Sequence, residues 1–240
     1  PALMNLLPYS QMGYGVWYVK GGMYNLARVL QKLLEDLGVK VHLNAEVTSI
    51  MKNKKRVGGV MVEGHGLVRG DVVVSNMEVI PAYKKLLNES GAMMKAYDYA
   101  YEPAASGLVV HVGTDRKYPH LNHHNFFFSK DSKKFLDTIH RQKKLPEDPN
   151  IYLVCPTRTQ PDLAPEGHEI IKILPHIPYL QDPAFTPADY VALKERVYEK
   201  LERMGITDLR KHTVVEDVLT PNDLEKMYYS NKGSIYGVVS

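Results

Sequence analysis

The sequence predicts an α+β protein, and three observations carry that expectation. Strand-like and helix-like runs are interspersed without the regular βαβ rhythm of a purely parallel sheet. The 240 residues are 44% hydrophobic and 24% charged, enough to bury a core in one large domain or two small ones. The character of the chain changes near Met77, where a helix and short strands give way to Tyr-rich and Phe-rich segments, so a second domain is expected from residue 81.

The elements follow in order. An apolar segment, residues 1–7, reads either as a helix or as a surface that dips into a bilayer. After a Tyr/Gly-rich entry, Leu26, Val29, Leu30, Leu33, Leu34 and Leu37 recur at helical spacing over residues 23–37, and Gly38 is placed to end that helix. Three strands are expected over 39–50, 56–63 and 68–75, parted by Lys/Asn and Gly-rich turns. Residues 82–87 look helical. Tyr97, Tyr99 and Tyr101, spaced by two, would share one face of a strand.

Strands are expected next over 107–113 and 125–129, a helix over 133–141, and strands over 150–156 and 169–175 with a turning segment at 161–168. The longest helix covers 187–204. Thr186 is its N-cap, Pro187 its first position and Gly205 its end. Tyr190, Leu193, Val197 and Leu201 form its apolar face, and Lys194, Glu195, Glu199 and Lys200 are read as its polar face.

Charge and cysteine usage exclude several classes. With 30 basic and 27 acidic side chains the net charge is +3, which gives no electrostatic reason to expect nucleic acid. The single cysteine, Cys155, cannot form an internal disulfide or a multi-cysteine zinc site and fits a reducing cytoplasm. No run approaches the roughly 20 apolar residues of a spanning helix, and no signal-peptide pattern opens the chain. The protein is expected to be cytoplasmic, soluble or peripheral to a membrane. Pro1 at the start and the apolar run 233–240 at the end read as an internal segment of a longer protein.

Several side chains have two readings. His120, His123 and His124 are spaced like metal ligands, but no acidic or cysteine residue in the run completes a set, so a loop and no metal are expected. Phe126, Phe127 and Phe128 alternate across a strand, some toward a core and some toward a lipid tunnel; core is the commoner fate of any one of them. Arg158 and Asp162 read as a surface salt bridge or an Asx-type turn, with stabilisation of charge during proton loss as the functional alternative.

Five strings carry a family resemblance: Gly15-Val-Trp-Tyr-Val-Lys-Gly-Gly22, Asn44-Ala-Glu-Val-Thr-Ser-Ile50, Asp71-Val-Val-Val-Ser-Asn76, Asp162-Leu-Ala-Pro-Glu-Gly-His168 and Gly233-Ser-Ile-Tyr-Gly237. In order and spacing the chain resembles bacterial-type phytoene desaturases and diapophytoene (dehydrosqualene) desaturases of the flavin amine oxidoreductase superfamily. The resemblance implies part of a Rossmann-like FAD-binding domain over 1–80, a substrate domain with a mixed sheet covered by helices over 81–225, and a return toward the FAD domain over 226–240. It implies hydride transfer from a long isoprenoid to flavin, with the protein supplying orientation and a dry tunnel. Glu46, Val47, Ser75, Asn76, Gly21 and Gly22 are the implied cofactor contacts; Phe126, Phe128, Tyr99 and Tyr236 are the implied tunnel residues. No catalytic side chain is singled out.

The sequence lacks the Gly-x-Gly-x-x-Gly turn that brings a pyrophosphate onto a helix N-terminus. FAD is therefore expected as a ligand of the parent protein, weakly or not at all of this chain alone. The same scaffold also serves carotenoid isomerases, end-group oxidases and retinol saturase-like reductases. A noncatalytic lipid-binding module is the alternative of a different class. The expected partners are a carotenoid or other long isoprenoid and, for the parent, a membrane surface.

Overall fold

Two helices make up the first part of the chain in the computed structural model, which describes residues 2–54 and 56–239. Helix α1 (Ala2–Tyr14) contains Pro8 and covers the apolar segment read at the start, of which Pro1 lies outside the described residues. Gly21 and Gly22, at φ +86° and +85°, lead into α2 (Met23–Asp36) through a conformation that glycine reaches without a Cβ penalty. Gly38 ends α2 as expected. At φ +79° it donates to the Glu35 carbonyl while Val39 donates to the Leu34 carbonyl, the paired reach-back of a Schellman stop. None of the α2 side chains is buried.

The chain divides into two compact units, the first ending at Asn44 and the second beginning at Ala45. The second opens with an antiparallel sheet of β1 (Val47–Asn53), β2 (Arg56–Val62) and β3 (Gly66–Arg69) in that order. Gly59 makes the β2–β3 approach possible: a Cβ there would lie 2.1 Å from the Val68 carbonyl oxygen. Two expected strands are shorter than read. Residues 39–46 join no ladder, and β3 ends at Arg69, so residues 70–75 have no described partner strand and Val72 and Val74 are exposed. β-propensity alone does not make a strand; a neighbour must take the backbone hydrogen bonds.

Helix α3 (Val79–Pro81) continues into a wider turn at Ala82–Leu86, and α4 (Ala92–Ala100) follows. The tyrosine strand is thereby corrected. Ala92, Met93, Met94, Ala96 and Ala100 are strong helix formers, and they override the β preference of the tyrosines. Tyr97 and Tyr101 meet edge-to-face at 5.8 Å, four residues apart, and Tyr99 points away with 94% of its surface exposed.

The remaining strands are β4 (Glu102–Pro103), β5 (Ser106–Gly107), β6 (Val109–Thr114), β7 (His124–Phe127), β8 (Ile151–Val154), β9 (Glu169–Ile177), β10 (Thr213–Leu219) and β11 (Val238–Val239). The larger sheet runs β10-β6-β9-β8-β7 with β5 paired to the end of β9, and β11 pairs β4. Helices α5 (Ser132–His140), α6 (Pro187–Arg203), α7 (Leu209–His212) and α8 (Pro221–Tyr228) complete the α+β fold. Where a mixed sheet was expected, every described pairing is antiparallel.

One face of the large sheet is the core. Val110, Val112, Ile151, Leu153, Ile171, Ile173 and Ile177 alternate inward and pack with Tyr190, Leu193, Val197 and Leu201 of α6. Each such side chain contributes about 1.5–3 kcal/mol by leaving water. Helix α6 begins as read from the sequence, with Thr186 and Asp189 forming a reciprocal capping box and Pro187 in the first turn.

Lys200 corrects the reading of α6. It is 4% exposed rather than solvated. Its ammonium donates to the Phe128 carbonyl at 2.8 Å, the Pro149 carbonyl at 2.9 Å and Asp148 at 2.6 Å.

Candidate functional site: an open aromatic sheet face

The sheet face opposite the core carries the side chains that alternate out of β7, β8 and β9. Register places Phe126 beside Tyr152 and Tyr152 beside Leu174, with His124, Lys172 and His176 on the same face by two-residue alternation. Phe126 and Phe128 are 60% and 64% exposed, so both miss the core, and Phe127 alone packs against it. The rings form a ladder. Phe128 stacks on Phe126 at 6.3 Å, Phe126 on Tyr152 at 4.9 Å, and Tyr152 on His124 at 5.8 Å.

Tyr236 joins this face from the far end of the chain. Ile235 donates to the Ala105 carbonyl, Ala104 donates to the Gly237 carbonyl, and the buried Ser106 hydroxyl donates to the Gly233 carbonyl. This strap leaves the Tyr236 ring 65% exposed and stacked on His176 at 6.1 Å with 11° between planes, its hydroxyl 3.2 Å from His176 Nε2. Tyr236 is near enough to Tyr152 to help raise the Tyr152 phenol, after burial. Burial pushes the His176 imidazole down, with His140 as a second cause. Three of the four implied tunnel residues thus share one face, and Tyr99 on α4 is not placed there by any described contact.

Two ionic clamps hold the strands that carry the face. Lys200 and the Asn150 side chain, which accepts from the Ser129 backbone at 2.6 Å, fix the chain where β7 ends. Glu169, 2% exposed, pairs with Arg158 and accepts from the Tyr118 backbone at 2.9 Å. The expected surface bridge at Arg158 is therefore a buried one. Asp162 takes part in neither clamp; it accepts from Gln160 in the exposed turn.

The histidine run is engaged in local bonds. His123 Nδ1 lies 2.6 Å from the Thr159 hydroxyl and His124 Nδ1 lies 2.7 Å from the Tyr152 hydroxyl. Among the described residues no group of three or more His, Cys, Asp or Glu side chains is arranged to hold a metal. Cys155 is buried, and burial pushes its thiol up, away from nucleophilic character.

The implied cofactor contacts fall in both units. Gly21 and Gly22 belong to the first; Glu46, Val47, Ser75 and Asn76 belong to the second. Val47 and Ser75 line an open, mostly apolar recess of about 460 Å³ beside β1–β3, with Ile50, Val60, Val68 and Leu86. Glu46 precedes β1 and its carboxylate accepts from the Tyr229 hydroxyl. Asn76 is exposed. Because β1 is an edge strand, one side of its backbone is unpaired in the described sheet, which suits main-chain bonding to a base. The residues present fit that part of a dinucleotide and offer no glycine turn for its pyrophosphate.

A family profile described as flavin containing amine oxidoreductase matches residues 1–233. The chain belongs to that family. Within it, the chain is 54% identical over its whole length to a 4,4'-diapolycopene oxygenase of Methylomonas sp. It is 48% identical to a 4,4'-diaponeurosporene oxygenase of Staphylococcus haemolyticus and 46% identical to one of Staphylococcus aureus. In each case it covers 48% of the relative, so the chain spans about half the length of the curated relatives it matches. A solved oxidoreductase from Methanosarcina mazei superposes with a TM-score of 0.49 at 14% identity, over 82% of this chain and 42% of its own.

The family resemblance read from five strings is therefore correct, and these relatives are oxygenases rather than desaturases. Sequence reasoning missed Tyr152, His176, Lys200 and Glu169. The first two were within reach: residues 172, 174 and 176 alternate with Ile171, Ile173 and Ile177 of β9, so His176 had to share a face with Lys172 and Leu174, and Tyr152 alternates with Ile151 and Leu153 in the same way.

Proposed function

We propose that this chain forms the substrate-holding part of a flavin-dependent enzyme that oxygenates the end group of a linear carotenoid of the 4,4'-diapocarotene type. The observation that carries the substrate class is the open ring ladder of Phe128, Phe126, Tyr152 and His124, with Tyr236 stacked on His176 of the same face, on a sheet whose other face packs the core. Flat aromatic surface suits a rigid polyene, which offers dispersion contact and no hydrogen bonds. The oxygenase names of relatives up to 54% identical support the reaction.

FAD, when bound, supplies the two-electron redox chemistry. Residues 1–80 then contribute to its domain, with Gly21, Gly22, Glu46, Val47, Ser75 and Asn76 on its side. Residues 81–225 hold the isoprenoid and 226–240 lead back. This chain's part in the reaction is to orient the polyene and exclude water. Among the described residues no helix is long and apolar enough to cross a membrane. The enzyme takes its insoluble substrate at a bilayer surface.

The test is the full-length enzyme with FAD and 4,4'-diaponeurosporene in liposomes under dioxygen, the source of the added oxygen atom, with products extracted and weighed by mass spectrometry. A product heavier by oxygen is expected. Loss of hydrogen pairs with longer-wavelength absorbance would favour the second reading, desaturation, which the five sequence strings support. An unchanged carotenoid overturns both.

A further inference from the structure

We propose that His176 and Tyr236 form a hydrogen-bonding site for the oxygen of an oxygenated isoprenoid end group, an aldehyde or alcohol. The inference rests on the reading that the aromatic face holds the carotenoid, and it names a group within that face.

The pair shares its face with the Phe126 and Phe128 rings, with Lys172 and with a second hydrogen-bonded pair, Tyr152 and His124. A hydrocarbon gives a phenol or an imidazole nothing to bond with, so an isolated polar group on this face would oppose binding. The two groups avoid that penalty by serving each other, with Tyr236 Oη and His176 Nε2 3.2 Å apart and the rings stacked within 11°. The imidazole is held toward its neutral form by burial. A neutral imidazole has two tautomers. With Nε2 as acceptor the phenol proton is used within the pair. With Nε2–H as donor the phenol oxygen accepts, and its own O–H is released toward a ligand. The same two side chains can therefore sit inert against a hydrocarbon and donate to an oxygen once the end group carries one.

The ring is placed for this. The strap from Ser106 and Ala104 to Gly233 and Gly237 holds the segment while leaving Tyr236 exposed. His176 is fixed by β9, its backbone N–H donating to the Asn150 carbonyl at 3.3 Å. The charged and titratable groups around the pair are Lys172 on the same face, 5.8 Å from the Tyr152 ring centroid, His140, which helps push the His176 imidazole down, and Lys143 and Lys232 over the Tyr179 ring, whose hydroxyl donates to Glu102. Burial and His140 both oppose protonation of the His176 imidazole, so the pair's hydrogen bond joins neutral partners.

The experiment measures partition of two carotenoids of equal length, one a hydrocarbon and one a terminal aldehyde, between liposomes and the full-length FAD-loaded enzyme. Tyr236→Phe keeps the ring and removes the donor. It strands His176 Nε2 against either ligand, so the discriminating quantity is the ratio of aldehyde to hydrocarbon affinity, which is expected to fall about three- to tenfold, the worth of one neutral hydrogen bond. His176→Phe leaves the phenol O–H without its partner, free for an aldehyde and costly against a hydrocarbon, and should raise the same ratio, whereas Phe126→Ala should weaken both ligands alike. Equal effects of Tyr236→Phe on the two ligands, or none on either, overturn the inference and leave the substrate face standing. Failure of the unmodified enzyme to bind either carotenoid overturns both.

Discussion

Replacing Lys200 with methionine removes a buried ammonium while nearly preserving the length of the side chain. The ammonium satisfies two backbone carbonyls, Phe128 and Pro149, and pairs with Asp148. Leaving a buried carbonyl without a donor costs about 1–3 kcal/mol. Returning the ammonium's desolvation cost offsets part of that. Asp148 adds little, because its side chain is 40% exposed and water can serve it. The expected net loss is about 2–4 kcal/mol, read as a lower urea midpoint with unchanged slope.

The pH dependence of the Lys200→Met variant has a definite sign. Burial alone would raise the Asp148 carboxyl, but Lys200 and the Lys130 backbone N–H outweigh it and hold the group low. A depressed carboxyl stabilises above its unfolded value, about 3.9, and that contribution disappears as pH falls through the folded value. The variant should therefore lose part of the wild type's acid-limb slope. A midpoint shift equivalent to less than about 0.5 kcal/mol, within the range of ordinary surface substitutions, would refute the ammonium's role as donor to those carbonyls.

Other perturbations test the clamps and the strap. Arg158→Met strands the Glu169 carboxylate, which is 2% exposed, and should cost about 3–5 kcal/mol in denaturant unfolding; a loss typical of a surface pair, under about 1 kcal/mol, would contradict the burial. Gly233→Ala places a Cβ 2.2 Å from the Pro221 carbonyl oxygen at φ +67°, and should destabilise by at least about 2 kcal/mol, checked by thermal melting. Burial holds His111, His123 and His176 below the usual imidazole value, so the unfolded chain takes up protons first as pH falls. Stability should decline as pH drops through about 6.5, and equal urea midpoints at about pH 7.5 and about pH 5.5 would count against it.

Local chemistry was legible where a few neighbouring residues decide the outcome. The Gly38 stop, the Thr186 cap and the alternation of Phe126, Phe127 and Phe128 all follow from side-chain type and spacing, and the structure shows each of them. What depends on partners was less legible. Residues 70–75 have the valines of a strand and no described neighbour to pair with, and the fate of Phe126 depended on which sheet face α6 would cover.

Lys200 is a different kind of error, because the periodicity that placed the core residues also placed the lysine. At 100° per residue, position 200 lies only about 20° from Leu193 around the α6 axis, well inside an apolar stripe more than 100° wide. Assigning it to the polar face let residue type overrule geometry. The spacing was right: the lysine points into the protein. A lysine at a buried helix position must find acceptors, so the sequence carried a further question, which nearby backbone would supply them. The answer is the Phe128 carbonyl just past the end of β7 together with the Pro149 carbonyl and Asp148 of the segment before β8. The helix that fills the core thereby also fixes the edge of the aromatic face on the opposite side of the sheet.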